Sequence, residues 1–173
     1  ASFAEACGVK SVIIHAFLDG RDTAPKSARN SVAAFEKRLL DLSSTRIGTL
    51  CGRYYAMDRN QTWDRTKRAY DLIEEGKAEF NAPNSKLAIE QAYNRGETDE
   101  FIQPTLIIPP DTDRNFIKEN DTLVFANFRA DRARQLACAF TESNFTFFER
   151  SSKSTLRTAL TLTDYGSRFN VPV

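Results

Sequence analysis

Residues 123–135 read LVFANFRADRARQ. Apolar and β-favouring side chains run from Leu123 to Phe128 and stop at Arg129, Ala130, Asp131 and Arg132. Beyond them Ala133, Leu136, Ala137 and Phe140 recur at spacings of three and four, the period of a helix with one buried face. The stretch therefore predicts a buried strand passing directly into a helix. Its two arginines sit at the junction, where the helix dipole places partial positive charge and disfavours cations. Free backbone N–H groups at the same place suit phosphate or carboxylate. Arg129 and Arg132 are then either solvated and paired with Asp131, or present for an anion. What weighs toward the anion is that the pattern occurs twice more.

The first repetition lies upstream. Residues 9–17 (VKSVIIHAF) form a nearly continuous apolar run, as expected of a strand covered on both faces, and stop in Leu18-Asp19-Gly20-Arg21-Asp22-Thr23. Pro25 then falls where a helix start tolerates its missing N–H, and a helix over 27–42 follows, with Val32, Phe35, Leu39 and Leu42 on one face. The second is the strand 45–51 (TRIGTLC), which ends in Gly52-Arg53-Tyr54-Tyr55-Ala56-Met57-Asp58-Arg59. A helix over 62–75 comes next and is stopped by Gly76. A further helix is expected over 86–94, capped by Ser85, then short strands over 105–108 and 156–162, with polar turn over 111–121. Residues 144–154 read as irregular and aromatic-rich.

Strands alternating with helices predict an α/β domain, a three-layer α/β/α arrangement with a mixed, largely parallel sheet. Ligands of such sheets gather outside the carboxyl ends of the strands. Parallel strands would bring Arg21, Arg53, Arg59, Arg129 and Arg132 to one rim. Arginine, unlike lysine, offers a planar fork that takes carboxylate or phosphate bidentately.

The bulk numbers restrict what that ligand is. At 173 residues the chain is long enough for a sizeable core, and its net charge of +1 supplies no field for nucleic acid or an anionic membrane. An arginine crevice on a nearly neutral chain points to a small, doubly anionic molecule. Cys7, Cys51 and Cys138 have no metal-ligand spacing and read as core residues of a reducing compartment, without a disulfide. No run approaches the ~18 apolar residues of a membrane span, and no secretory leader opens the chain; a cytoplasmic protein is expected. The first residues read as the end of a helix closed by Gly8 and the last as a linker, so a domain excised from a longer protein is expected.

Taken together, HAFLDGRDT (15–23), GRYYAMDR with WDR behind it (52–59, 63–65) and NFRADRARQ (127–135) resemble the cofactor-independent phosphoglycerate mutases, specifically their inserted substrate-binding domain. DEFIQPT (99–105) and LTLTDY (160–165) match more weakly, and the resemblance spans essentially the whole chain. It implies one part of a two-domain glycolytic isomerase that interconverts 3-phosphoglycerate and 2-phosphoglycerate through a phosphoserine. The serine and two divalent metals, manganese or magnesium, would belong to a phosphatase-like domain outside this chain, with neither a metal nor a catalytic residue in this part. Residues 1–165 would be the substrate-binding domain and 166–173 the start of a linker. Carried over residue by residue, Arg21 and Asp22 would contact the glycerate, and Arg53, Arg59, Arg129 and Arg132 would grip its carboxylate and phosphate. The family's SDGGVHSH motif would precede residue 1, and Ala24 stands where a second proline is frequent. A monomer is expected, with no nucleic acid or membrane partner.

Other readings are weaker. His15 lies within an apolar strand and reads as a hydrogen-bonded core residue. Asp19 and Asp22 are one residue too far apart for the Asp-x-Asp of aspartyl phosphatases. Asp111 and Asp113 read as a solvated turn, Tyr54 and Tyr55 as packing, and Phe145, Phe147 and Phe148 as core or domain contact. Arg65 could approach the crevice from its helix. The alternative function is a stand-alone small-anion-binding module without catalysis.

Overall fold

The computed structural model describes residues 1–109, 117–150, 156–166 and 171–173. In chain order the elements are α1 (Ser2–Ala6), β1 (Val12–Leu18), α2 (Ala28–Leu39), β2 (Thr45–Gly52), α3 (Arg53–Ala56), α4 (Trp63–Glu75), β3 (Phe80–Ala82), α5 (Ser85–Asn94), a 3-10 turn (Asp99–Phe101), β4 (Thr105–Ile107), β5 (Thr122–Phe125), α6 (Ala130–Thr141) and β6 (Thr158–Thr161). They group into two compact units, Ala1–Arg53 with Ala78–Asp113, and Tyr54–Lys77 with Arg114–Val173.

In the first unit four strands form one sheet in the order β1-β2-β4-β3. β1 runs parallel to β2 and β3 parallel to β4, while β2 and β4 are antiparallel. The α/β class and the mixed, largely parallel pairing are as the sequence predicts. Leu50 of β2, Ala88, Ile89 and Ala92 of α5, and Ile102 bury completely or nearly so, with Ala28 and Val32 of α2 in the same core. Each fully buried Leu or Ile side chain there contributes about 1.5–3 kcal/mol.

One expectation fails at β1. Its apolar run predicts cover on both faces, yet β1 is the edge strand of this sheet, and six of its seven residues are only half-buried. The inner, buried strands are β2 and β4. Composition reports that a side chain can be buried; the pairing that decides it is long-range. His15, by contrast, is read correctly. It lies opposite Thr49 in the β1/β2 register, and its Nδ1 is 2.9 Å from the Thr49 hydroxyl oxygen. Burial, then the nearby Arg46 charge, lowers the His15 pKa to about 4, so the ring is neutral at physiological pH.

Helix signals are local and hold well. Gly76 takes the left-handed conformation (φ 63°) that ends α4. α5 is capped one residue earlier than expected, by the Asn84 side chain accepting from the Leu87 N–H, so the cap is Asn84 and not Ser85. α2 has no cap from its own flank: its Ala28 N–H donates to Asp99 Oδ2 at 2.8 Å, a carboxylate supplied from the 3-10 turn.

In the second unit β5 and β6 pair in parallel as a separate two-stranded sheet, so the strands expected in one sheet divide between two. α4 packs on α6. Trp63 stacks on Phe147 at 4.1 Å and meets Phe145 edge-on at 5.5 Å, with Phe148 against Tyr70 at 5.4 Å. The aromatic-rich stretch is thus packing, as the sequence predicts. Tyr165 is fully buried and donates its hydroxyl to the Asn127 carbonyl, while Arg134 Nε donates to the Tyr165 carbonyl. These two bonds fasten the chain after β6 to both sides of the β5–α6 junction. Cys51 and Cys138 are buried and in no disulfide; Cys7 is exposed rather than in the core. Asp111 and Asp113 lie outside the described residues, as does much of the expected linker.

Candidate functional site

The six residues expected to bind substrate divide equally between the units. In the first, Arg21 and Asp22 sit on the turn after β1 and Arg53 directly follows β2, so the parallel pairing of these strands brings all three to one rim. The turn is fixed by Asp19, whose Oδ1 accepts the N–H groups of Arg21 and Asp22 at 3.3 and 3.2 Å. Gly20 closes it in the left-handed region (φ 66°), against the Asp99 side chain and the Glu100 backbone. A Cβ on Gly20 would lie 2.7 Å from Asp99 Cβ, and one on Gly52 would lie 2.1 Å from the Glu100 carbonyl oxygen. Glycine is required at both positions because the 3-10 turn passes directly over the ends of β1 and β2.

Arg53 is buried to 4% exposure, and its Nη1 is shared by Asp19 and by Asp22 at 2.9 Å. Burial works against its charge, but the bonds to Asp22 and Asp19 reverse the sign and hold the guanidinium above its ordinary pKa. Burial likewise pushes the Asp19 carboxyl up, and the Arg53 bond with the two turn N–H groups outweighs it, leaving it below the usual range. Asp19, which sequence reasoning weighed only as a phosphatase nucleophile, is the anchor of this rim. Its signal was the Asp-Gly pair, an Asx-turn composition. Arg21 is exposed and lies 3.6 Å from Glu100 Oε1.

In the second unit Arg59 lies between α3 and α4, Arg129 occupies the N-cap position of α6 without a side-chain capping bond, and Arg132 is in the first turn of α6. Arg59 Nη1 and Asp131 Oδ2 are 2.7 Å apart, both about half exposed. Asp131 is thus held by Arg59, a residue 72 positions away. The Arg59 bond lowers the Asp131 carboxyl, slight burial opposes, and the charges of Arg129 and Arg132 add to the lowering. Arg132 Nη1 donates to the Met57 carbonyl at 3.4 Å, tying α6 to the Arg59 segment. Arg65 lies 3.8 Å over the Tyr54 ring and 3.5 Å from Asp58, and Arg68 lies over Tyr55. Among the named groups, the first rim sets two guanidiniums against three carboxylates, whereas the second sets Arg59, Arg65, Arg129 and Arg132 against Asp58 and Asp131. Among these groups the second therefore carries the larger positive surplus.

The family model for the BPG-independent PGAM N-terminus (iPGM_N) matches residues 1–167. The chain belongs to this family. Among its relatives, the 2,3-bisphosphoglycerate-independent phosphoglycerate mutase of Nitrosococcus oceani is 48% identical over 164 residues, covering 95% of this chain and 32% of that protein. The enzyme of the same name from Coxiella burnetii (strain Dugway 5J108-111) is 45% identical over 170 residues, covering 98% and 33%. The chain thus spans about a third of the length of these relatives. A similar fold is seen in the crystal structure of a phosphoglycerate mutase from Leishmania mexicana at low cobalt concentration. It matches with a TM-score of 0.85 over 92% of this chain and 30% of that one, at 24% identity. Among the described residues of the iPGM_N chain, no group of three or more His, Cys, Asp or Glu side chains is placed to hold a metal ion. Nor is any described helix long and apolar enough to cross a membrane.

Proposed function

We propose that this chain is the substrate-binding part of a 2,3-bisphosphoglycerate-independent phosphoglycerate mutase that interconverts 3-phosphoglycerate and 2-phosphoglycerate in the cytoplasm. The observation that carries this is identity of 48% to an enzyme so named, across nearly all of the present chain. The divalent metals and the serine that takes the phosphoryl group are assigned to the remainder of the full-length protein. Such metals would stabilise charge on the transferring phosphoryl group.

What this chain supplies is charge and orientation. Arg59, Arg129 and Arg132 receive the anionic groups, where guanidinium forks form charge-assisted hydrogen bonds. Arg21 and Asp22 contact the glycerate. Arg53 acts mainly by holding Asp22 and Asp19, since its Nη1 is already committed to both. Relatives carry the matched stretch inside a chain about three times as long, which favours the enzyme over a stand-alone anion-binding module.

Calorimetric titration with 3-phosphoglycerate, beside inorganic phosphate and acetate, tests the assignment. Arg129→Ala and Arg132→Ala should each weaken phosphoglycerate binding by ~1.5–3 kcal/mol, the range for hydrogen bonds to charged groups. Wild-type affinity in either variant would remove that residue from the site.

A further inference from the structure

The segment carrying Arg59 has no secondary structure of its own, and Gln61 within it adopts a left-handed backbone (φ 60°) rare for a non-glycine residue. Something outside the segment must hold this shape. Three successive amides answer for it: the N–H groups of Asn60 and Thr62 donate to Asp58 Oδ2 at 3.1 and 2.9 Å, and that of Gln61 donates to Gln135 Oε1 at 2.7 Å. The two acceptors are themselves joined. Gln135 Nε2 donates to Asp58 Oδ2 at 3.0 Å and lies 3.0 Å from Thr66 Oγ1.

Asp58 and Gln135 are 6% and 8% exposed, and both oxygens of Asp58 and both polar atoms of Gln135 are engaged. A buried network with its members satisfied is rigid, and a partial loss is expensive because it strands the rest. Gln135 is also one turn along α6 from Arg132. A single side chain therefore fixes the backbone next to Arg59 relative to the helix that presents Arg129 and Arg132. Both residues stand inside the motifs GRYYAMDR and NFRADRARQ, whose arginines alone account for the anion contacts.

We propose that Asp58 and Gln135 are positioning residues that set the spacing of Arg59 against Arg129 and Arg132, and so the affinity for phosphoglycerate. This rests on the binding role proposed above for these arginines. A glutamine is needed at 135 because the site demands an acceptor for Gln61 and a donor for Asp58 from one side chain; a carboxylate there would face the Asp58 carboxylate.

The test uses the full-length protein and reads KM for 3-phosphoglycerate apart from kcat. Gln135→Ala should raise KM about tenfold, the equivalent of one or two buried hydrogen bonds, with a much smaller change in kcat. A merely structural role would reduce the active fraction, hence apparent kcat, and leave KM alone. Gln135→Glu adds a second readout. Asp58 and Arg65 are the charged groups of this network, and a carboxyl forced against Asp58 has a raised pKa, so protonation restores the donor. Its KM relative to wild type should approach one as the pH falls from about 8 to about 5.5, whereas that of Gln135→Ala should not. Should Gln135→Ala fail to fold, Thr66→Val frees Gln135 from one neighbour only and should move KM in the same direction.

Arg129→Ala separates the two claims. A raised KM in Arg129→Ala with wild-type KM in Gln135→Ala and Thr66→Val overturns the positioning role and leaves the binding role standing. Wild-type KM in each of Arg59→Ala, Arg129→Ala and Arg132→Ala refutes the binding role and the positioning role with it.

Discussion

Replacing Asp99 is the most direct probe of how the first rim is held. Its carboxylate is 1% exposed; Oδ2 accepts the Ala28 N–H at 2.8 Å and the Ser27 hydroxyl at 3.5 Å, and Oδ1 accepts the Tyr93 hydroxyl. Asp99→Ala removes the side-chain acceptor that caps α2, a loss of about 0.5–2 kcal/mol. It also removes a second bond to a charged acceptor, about 1.5–3 kcal/mol at full burial. Tyr93 is only half-buried and can turn its hydroxyl to water, so the lower part of that range applies. Together the change should destabilise the protein by about 3 kcal/mol, or roughly 6–12 °C in Tm for a chain of this size. Alanine keeps the Cβ that packs against Gly20, so the turn carrying Arg21 should survive and the effect should be confined to these bonds. Asp99→Asn, which keeps an oxygen for the Ala28 N–H, should cost about 1 kcal/mol through the lost charge at the helix start. Urea unfolding followed by far-ultraviolet circular dichroism would show the midpoint fall with its slope unchanged. An Asp99→Ala midpoint within error of wild type, or an Asn variant as unstable as the Ala variant, would refute the capping role.

Acid should expose His15. Its folded pKa of about 4 lies below the unfolded value near 6.5, so its contribution is complete above pH ~6.5 and is lost progressively as the pH falls toward 4. The loss should amount to ~1–3 kcal/mol, and the stability gap between wild type and His15→Asn should narrow over that window; parallel pH–stability curves would exclude it. At Gly52 a methyl group would meet the Glu100 carbonyl at 2.1 Å, so Gly52→Ala should destabilise by about 2–3 kcal/mol or more, read by the same unfolding experiment. An unchanged midpoint there would mean that the 3-10 turn does not lie over β2.

Local periodicity and punctuation were enough to place β1, β2, α2, α4, α6 and β6 and the arginine-bearing turns after the strands, because each is specified within one or two turns of chain. The same holds for His15 as a hydrogen-bonded residue and for Phe145, Phe147 and Phe148 as packing. The motifs were enough for the family, since three long stretches in fixed order carry more information than any composition. β3, three residues without alternation, could not be read, and its place depends on β4 rather than on its own sequence. That Arg53 is bound up with Asp19 and Asp22, that α2 is capped by Asp99 from 71 residues away, and that Gln135 braces the Arg59 segment are facts of tertiary structure alone. Hydrogen bonds and ion pairs between residues remote in sequence leave no period to detect. Sequence thus determined which charged residues stand at the strand ends, and the fold decided which of them are exposed, such as Arg21, and which are buried against the protein's own carboxylates, such as Arg53.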